Sequence, residues 1–370
     1  MVYIDNIYKG LLVFPFIAAF FTLPYAVFQY HRYGSVSKYR TLIIYSFILY
    51  MLIAFFMVIL PLPDRASTAG NTWQEHLNLI PFRQIWLYWH DKAFGLAALK
   101  EYLVSMSLWQ LLFNILLTVP FGVYMRYYFK LSLGRTILYS FLLSLFYETS
   151  QITALFGIYP GPYRLADVED LICNTMGGAG GFYIASVFAR VLPARDEIDE
   201  KCRASGNIVT GMRRVWAALF DYVCIAAVYI FLLGVIRILD PEFTGYTIYG
   251  EVYSWSFFCM ISLAQALITK GSTLGHAACR IILVSDGGSA ASAGQLIKRY
   301  LYLWLFTDLP LIIAGRLMSV RFSFIIDVII LGLTAASRIY FFIYFINVVL
   351  RKGKLMPHDK LSRTRYMAIQ

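Results

Sequence analysis

The stretch "YRLADVEDLICNTMGG" at 163–178 sets Arg164, Asp167, Glu169 and Asp170 at the head of an apolar, glycine-rich segment. Just upstream, "SLFYETSQ" carries Glu148 and Gln151, three residues apart and so on one helix face. Read as a helix, Asp167, Asp170 and Asn174 fall at i, i+3 and i+7, and Gly177, Gly178 and Gly181 continue that face, while Glu169 points elsewhere. Carboxyl groups gathered in this way suit proton exchange, cation binding or general acid–base work. A simpler reading stands beside that one: Asp167 or Asp170 caps a helix start, Arg164 pairs with Asp167, and Glu148 with Gln151 glues two helices together. Three carboxyl groups and two amides nonetheless exceed what one cap requires, and ionisable groups at membrane depth are costly enough to mark function by default.

The elements that must position these groups follow from composition. Of the 370 residues, 59% are hydrophobic and 14% charged, which excludes a soluble domain with a wet surface. The expected fold class is an all-α polytopic membrane protein in two bundles. About nine segments are apolar enough to span, near 11–30, 41–62, 103–125, 133–153, 168–191, 213–238, 252–269, 299–315 and 322–350. The last is long and carries Asp327 and Arg338, so it either tilts or breaks in two. The first has the length of a signal peptide, but Pro15 and Pro24 interrupt it and the basic cluster follows it, so it reads as retained.

Lys and Arg in the short loops orient the chain. Arg32, Lys38 and Arg40, then Arg126, Lys130 and Arg135, then the run from Arg190 to Arg214 fall on one side, with the 270–300 region and the basic tail. The connections between them are neutral or acidic, and only Arg316 and Arg321 sit on the wrong side. The expectation is amino terminus outside, carboxyl terminus inside, with the acidic stretch at the outer mouth of the fifth segment. The formal charge of +11 is then mainly a topology signal, and nucleic acid is not implied.

At 192–212 the text becomes "LPARDEIDEKCRASGNIVTGM", polar and mixed in charge, as a cytoplasmic linker would be. The expected organisation is a leading helix and basic loop at 1–40, a first helical domain at 41–195, a linker at 196–210, and a second domain with its basic cytoplasmic tail at 211–370. Cys173, Cys202, Cys224, Cys259 and Cys279 have no metal-ligand spacing and read as small buried hydrophobes. His31, His76 and His90 are isolated, and no nucleophile with its base and no metal constellation is evident, so no metal and no cofactor are expected. Trp73, Trp86, Trp89 and Trp109 read as interface anchors.

Motifs through the first domain resemble the VanZ-like family. They are Glu148-x-x-Gln151; the run from Arg164 through Asp167, Asp170 and Asn174 to Gly178; "NLIPF" at 78–82; and "NILLTVPFG" at 114–122 with Asn114, Pro120 and Gly122 in matching places. The likeness covers roughly 45–190, and departs in "ITALFGIYPGPY" between Gln151 and Arg164, which is long and holds two prolines. It implies a ligand-binding pocket of Glu148, Gln151, Arg164, Asp167, Asp170, Asn174, Asn78 and Asn114, with the loop from Asn78 to Phe82 as its lid. In its best-known setting such a protein accompanies resistance to the glycopeptide teicoplanin, and no reaction is established for the family.

The second domain has a separate signature, "MRRVWAALFDYV", "KGSTLGHAACRIILVSDGG", "IKRYL" and "MPHDKLSRT", which resembles the RDD family over about 208–366. The likeness implies a cluster of Arg213, Arg214, Asp221, Thr273, Gly275, Arg299, His358 and Asp359. His276 stands where that family usually has Lys, and the second family aspartate is Asp308, Asp327 or Asp359. Each motif has a plainer side: "ILVSDGG" is a strand ended by a turn, and His358-Asp359-Lys360 either closes the bundle from below or meets anionic lipid beside its basic neighbours.

Three function classes remain. One is a multi-pass envelope protein of a bacterial plasma membrane, binding a cell-wall precursor, a lipid headgroup or a glycopeptide at the outer acidic pocket. The second is a transporter or ion exchanger using intramembrane carboxylates. The third is a membrane-embedded hydrolase or transferase using Glu148 and Asp170. A transporter should show broken helices near the midplane, often in repeated halves. The strongest cluster here lies at one face and the halves do not repeat, so the first class is preferred.

Overall fold

The computed structural model describes residues 2–90, 95–240, 250–307, 324–350 and 355–369. The first half runs α1 (Val2–Tyr33), α2 (Lys38–Ile59), β1 (Leu77–Asn78), α3 (Arg83–His90), α4 (Leu96–Leu103), α5 (Met106–Tyr127), α6 (Leu133–Ile152), a short turn α7 (Ala154–Gly157), β2 (Ala166–Asp167) and α8 (Val168–Val191). The second half runs α9 (Arg195–Ser205), α10 (Gly211–Leu239), α11 (Gly250–Ile268), α12 (Leu274–Ala278), β3 (Ile281–Ser285), α13 (Ala293–Thr307), α14 (Phe324–Leu350), α15 (Pro357–Ser362) and β4 (Thr364–Ala368).

The chain is a helical membrane protein. Among the described residues, α1, α2, α5, α8 and α10 are each long and apolar enough to cross a bilayer. Their flanks leave large side chains uncovered, as with Phe16 and Phe20 on α1 and Ile230 and Phe231 on α10, which is how a lipid-facing helix looks. Expected segments four and seven coincide with α6 and α11. Segments eight and nine run over 308–323, so Asp308 lies outside the described residues, as do the side chains of Asp327 and Arg338 and residues 351–354 of the tail. α1 is continuous through Pro15 and Pro24, which do not interrupt it. Two short ladders add to the helical fold: β1 pairs in parallel with β2, and β3 pairs antiparallel with β4.

The chain divides into two compact units, Met1–Ala19 with Lys38–Ile198, and Phe20–Ser37 with Asp199–Gln370. In the first, α5 and α8 run parallel and in close contact. Asn114 meets Asp170 and Thr118 meets Asn174, and a Cβ at Gly177 would overlap the Ile115 carbonyl while one at Gly181 would overlap that of Val119. From the facing side, a Cβ at Gly122 would overlap the Gly178 carbonyl. α6 lies antiparallel along α8, with Ser140 against Gly178. Without a hydrophobic drive in lipid, close backbone approach and buried hydrogen bonds hold such helices, and the glycine stripe supplies the approach.

In the second unit, Tyr30, Val209, Ala217, Cys279 and Ile281 form one core cluster, and Ala266, Leu283, Ala291, Leu296 and Tyr300 another. "IILVS" is the strand β3, and the carboxyl-terminal residues return as β4 in register Ile281↔Ala368 to Ser285↔Thr364. The tail therefore closes back onto its own unit. Side chains of β4 alternate, with Thr364 buried, Tyr366 half-buried, and Arg365 and Met367 exposed.

Candidate functional site

The acidic cluster is assembled by three helix segments and one short ladder. Asp167 ends β2 and caps α8, its Oδ1 accepting from the Glu169 N–H at 2.9 Å. Its Oδ2 accepts from the Asn78 side-chain amide at 3.0 Å, across the β1–β2 pairing that sets Asn78 opposite Asp167. Its own N–H donates to Glu148 Oε2 at 2.9 Å, which brings the end of α6 onto the start of α8. One turn further in, the Asn114 amide of α5 donates to Asp170 Oδ1. Below it Asn174 donates to Ser144 Oγ at 2.9 Å, Ser144 donates to the Asp170 carbonyl at 3.3 Å, and Thr118 donates to the Asn174 carbonyl at 2.6 Å.

Six of the eight sequence-derived residues are thus linked: Glu148, Asp167, Asp170, Asn174, Asn78 and Asn114. Arg164 is engaged elsewhere, and does not pair with Asp167. Its Nη1 donates to the Val58 carbonyl at 2.7 Å and its Nη2 to that of Leu60 at 2.5 Å. Tyr163 adds its hydroxyl to the Ile59 carbonyl at 3.0 Å, and Asn6 its amide to that of Leu60 at 3.1 Å. The last carbonyls of α2 have no helical partner, and a guanidinium there is a natural cap. Gln151 is buried one turn beyond Glu148, with its Oε1 unpartnered, as is Oδ1 of Asn174.

Sequence reasoning missed Ser144 and Thr118, the two hydroxyls that tie α6 and α5 to α8. Their signal was spacing: Thr118 is one turn from Asn114, and Thr136, Ser140, Ser144 and Glu148 recur every fourth residue on α6, all buried. Among the described residues no Lys or Arg forms an ion pair with Glu148, Asp167 or Asp170, and no group of three His, Cys, Asp or Glu side chains is arranged to hold a metal ion.

The arginine–aspartate cluster of the second unit has different pairings from a simple Arg–Asp bridge. Asp221 accepts from Thr273 Oγ1 at 2.5 Å and from the Gly275 N–H at 2.6 Å, at the start of α12. Gly275 is required there because a Cβ would overlap the Ala217 carbonyl. Arg213, 1% exposed, donates to the carbonyls of Cys279 at 2.8 Å, Arg280 at 2.8 Å and Gly206 at 2.7 Å.

Asp359 has no exposure and gathers the other cations. Arg299 donates to its Oδ1, Arg214 lies 3.5 Å from its Oδ2, and the Met356 N–H reaches that Oδ2 at 2.9 Å. Of the three candidate second aspartates, Asp359 is the one placed in this cluster, and the carboxylates of the other two lie outside the described residues. Arg299 also donates to Thr364 Oγ1 at 3.3 Å and to the Tyr366 hydroxyl at 2.8 Å, and both Arg214 and Arg299 stack on the Tyr366 ring. Thr364 closes the quoted "MPHDKLSRT" motif, whereas Tyr366 escaped sequence reasoning, although the alternation of "TRYMA" marks both as one face of a strand. His276 meets the same ring edge-on at 5.2 Å between centroids.

Burial pulls His276 down to about 3, with the nearby Arg299 charge adding to it. His358 is likewise held well below the ordinary histidine range, by burial first and then by Arg299 and Arg214. Both imidazoles are neutral at pH 7.

Residues 47–189 match the VanZ/LLP1 family model, and residues 209–363 match that of the RDD family. No curated protein and no solved structure matches the chain.

Proposed function

The chain joins a VanZ-like region to an RDD region, and from that premise we propose that it is an envelope protein of a bacterial plasma membrane whose acidic cluster binds a donor-rich ligand. The ligand class is a cell-wall precursor, a lipid headgroup or a glycopeptide of the teicoplanin type. About nine spans, with the amino terminus outside and the carboxyl terminus inside, put that cluster on the outer face. The exposed Lys360, Arg363 and Arg365 of the tail then meet anionic lipid of the inner leaflet.

The observation that carries this reading is an excess of acceptors. Glu148, Asp167 and Asp170 converge with neutral amide and backbone donors, while the adjacent Arg164 is committed to α2 carbonyls. Gln151 Oε1 and Asn174 Oδ1 add two buried acceptors that have no partner. Glu148 is buried and Asp167 and Asp170 are half-buried; carboxylates drawn from water without an ion pair are costly, and a ligand bearing amines or hydroxyls relieves that cost. The same excess favours a second reading, cation or proton exchange through the cluster.

Cells expressing wild type, Glu148→Gln and Asp170→Asn, matched for abundance by immunoblot, separate the readings. Envelope binding predicts protection from teicoplanin by wild type and loss of protection in either variant. Equal susceptibility in all strains overturns the glycopeptide form of the proposal. Carboxylate-dependent ion flux in proteoliposomes would then favour exchange.

A further inference from the structure

The second unit contains a cavity of about 190 Å³ that is independent of the acidic cluster. Its wall is mostly apolar, with Val215, Ala218, Phe258, Leu303, Phe345 and Val348 among the lining side chains. Three polar side chains that also line it are more than nine-tenths buried and carry an atom without a partner: Ser262 Oγ, His276 Nδ1 and His358 Nδ1. Buried polar groups in folded chains nearly always have partners, so three on one cavity wall call for an explanation.

Their chemistry narrows the occupant. The His276 ring bonds the Gly271 backbone carbonyl, which assigns the proton to Nε2 and leaves Nδ1 a lone pair. His358 Nε2 faces Asp359 Oδ1 at 3.6 Å, which likewise favours the proton on Nε2 and a lone pair on Nδ1. The lining thus offers two imidazole acceptors and one hydroxyl. Arg214 and Arg299 also line the cavity, and so do Asp221 and Asp359, so the charge of its wall is already balanced and an ionic head of either sign would be buried there without a counter-charge of its own. A neutral O–H is the head that remains. Water on these polar atoms leaves the rest of the wall, which is mostly apolar, without a partner, and an alkyl chain fills that part.

We propose that this cavity binds a neutral, hydroxyl-bearing amphiphile, such as a monoacylglycerol or a long-chain alcohol, whose O–H donates to His276 or His358 while its chain lies along Val215, Ala218 and Leu303. Ser262 donates to, or accepts from, the same hydroxyl.

The test is photolabelling of the full chain in lipid nanodiscs with three probes that share one diazirine-bearing alkyl chain and end in an alcohol, a carboxylate or a trimethylammonium. Labelled peptides are mapped by mass spectrometry. The alcohol probe is expected to label α10 near Val215–Ala218 and α14 near Phe345–Val349, in competition with unlabelled monoacylglycerol. Ala218→Trp, at a small exposed position on the wall, should abolish that labelling. Ser262→Ala should weaken it about fivefold, the loss of one neutral hydrogen bond, and folds like wild type because it removes a hydroxyl that has no partner in the protein. Labelling of this peptide pair equally by all three probes, or labelling unchanged in Ser262→Ala and in a folded Ala218→Trp, overturns the proposal.

Discussion

Arg213 and Asp221 stand two turns apart on α10, about 12 Å along its axis, and hold opposite ends of the five-residue helix α12. Asp221 accepts from the Gly275 N–H and the Thr273 hydroxyl where α12 begins, and Arg213 donates to the carbonyls of Cys279 and Arg280 where it ends. The anion therefore meets the free N–H end of the helix and the cation its free C=O end, which is the favourable sense of the dipole. The two charges stabilise α12 without touching one another.

This clamp makes a first prediction. Asp221→Ala removes two charge-assisted hydrogen bonds and should cost about 3 kcal/mol, whereas Asp221→Asn, which keeps one acceptor, should cost less. Unfolding in detergent, followed by tryptophan fluorescence, ranks wild type, Asn and Ala. An Asp221→Ala protein that melts with wild type contradicts the clamp.

A second prediction concerns α8. A Cβ at Gly178 would overlap the Ser140 side chain, whereas nothing lies within reach of one at Gly180. Gly178→Ala should therefore loosen the bundle and lower the melting temperature. Gly180→Ala should be neutral or raise stability, by up to about 1 kcal/mol, through helix propensity. Equal behaviour of the two variants would show that α6 does not approach α8 as described.

The third prediction is acid sensitivity of the second unit. His276 is held near 3 and His358 well below its usual value, while an unfolded histidine titrates at about 6.5. On acidification the unfolded chain takes up these protons before the folded one. The stabilisation from the two neutral imidazoles is whole above about 6.5 and is lost as pH falls from there toward 3. Each histidine adds a slope of up to about 1.4 kcal/mol per pH unit in that window. Stability profiles between pH 7 and 5 should be flatter in His276→Gln and in His358→Gln. A double variant with the wild-type slope would refute the assignment.

Much of the first site was legible because it lies on one helix face. Asp170, Asn174, Gly177 and Gly181 follow helical periodicity, and that stripe meets α5 as the pattern implied. What each polar residue bonds to was not legible, since Ser144 and Thr118 approach from other helices and small hydroxyls hardly disturb an apolar profile. Arg164 illustrates the limit: its charge was visible among the carboxylates, but the carbonyls it caps belong to α2, about a hundred residues earlier. In the second half, the RDD resemblance grouped Asp221 with Thr273 and Gly275, whereas the bonds they make, a hydroxyl and a backbone N–H both donated to the one carboxylate, follow only from the fold. Tyr366 was hidden because β4 pairs with a strand some eighty residues away, and sequence spacing carries no trace of such a pairing.

Ligand capture by the acidic cluster is read out by equilibrium binding of fluorescent teicoplanin and of a fluorescent lipid-linked wall precursor to the purified chain in nanodiscs, with wild type, Glu148→Gln and Asp170→Asn compared. Wild type should bind at least one ligand saturably, with binding weakened at least about tenfold, or about 1.4 kcal/mol, in both variants at unchanged melting temperature. Absence of binding to wild type, or equal affinity in all three proteins, would contradict it.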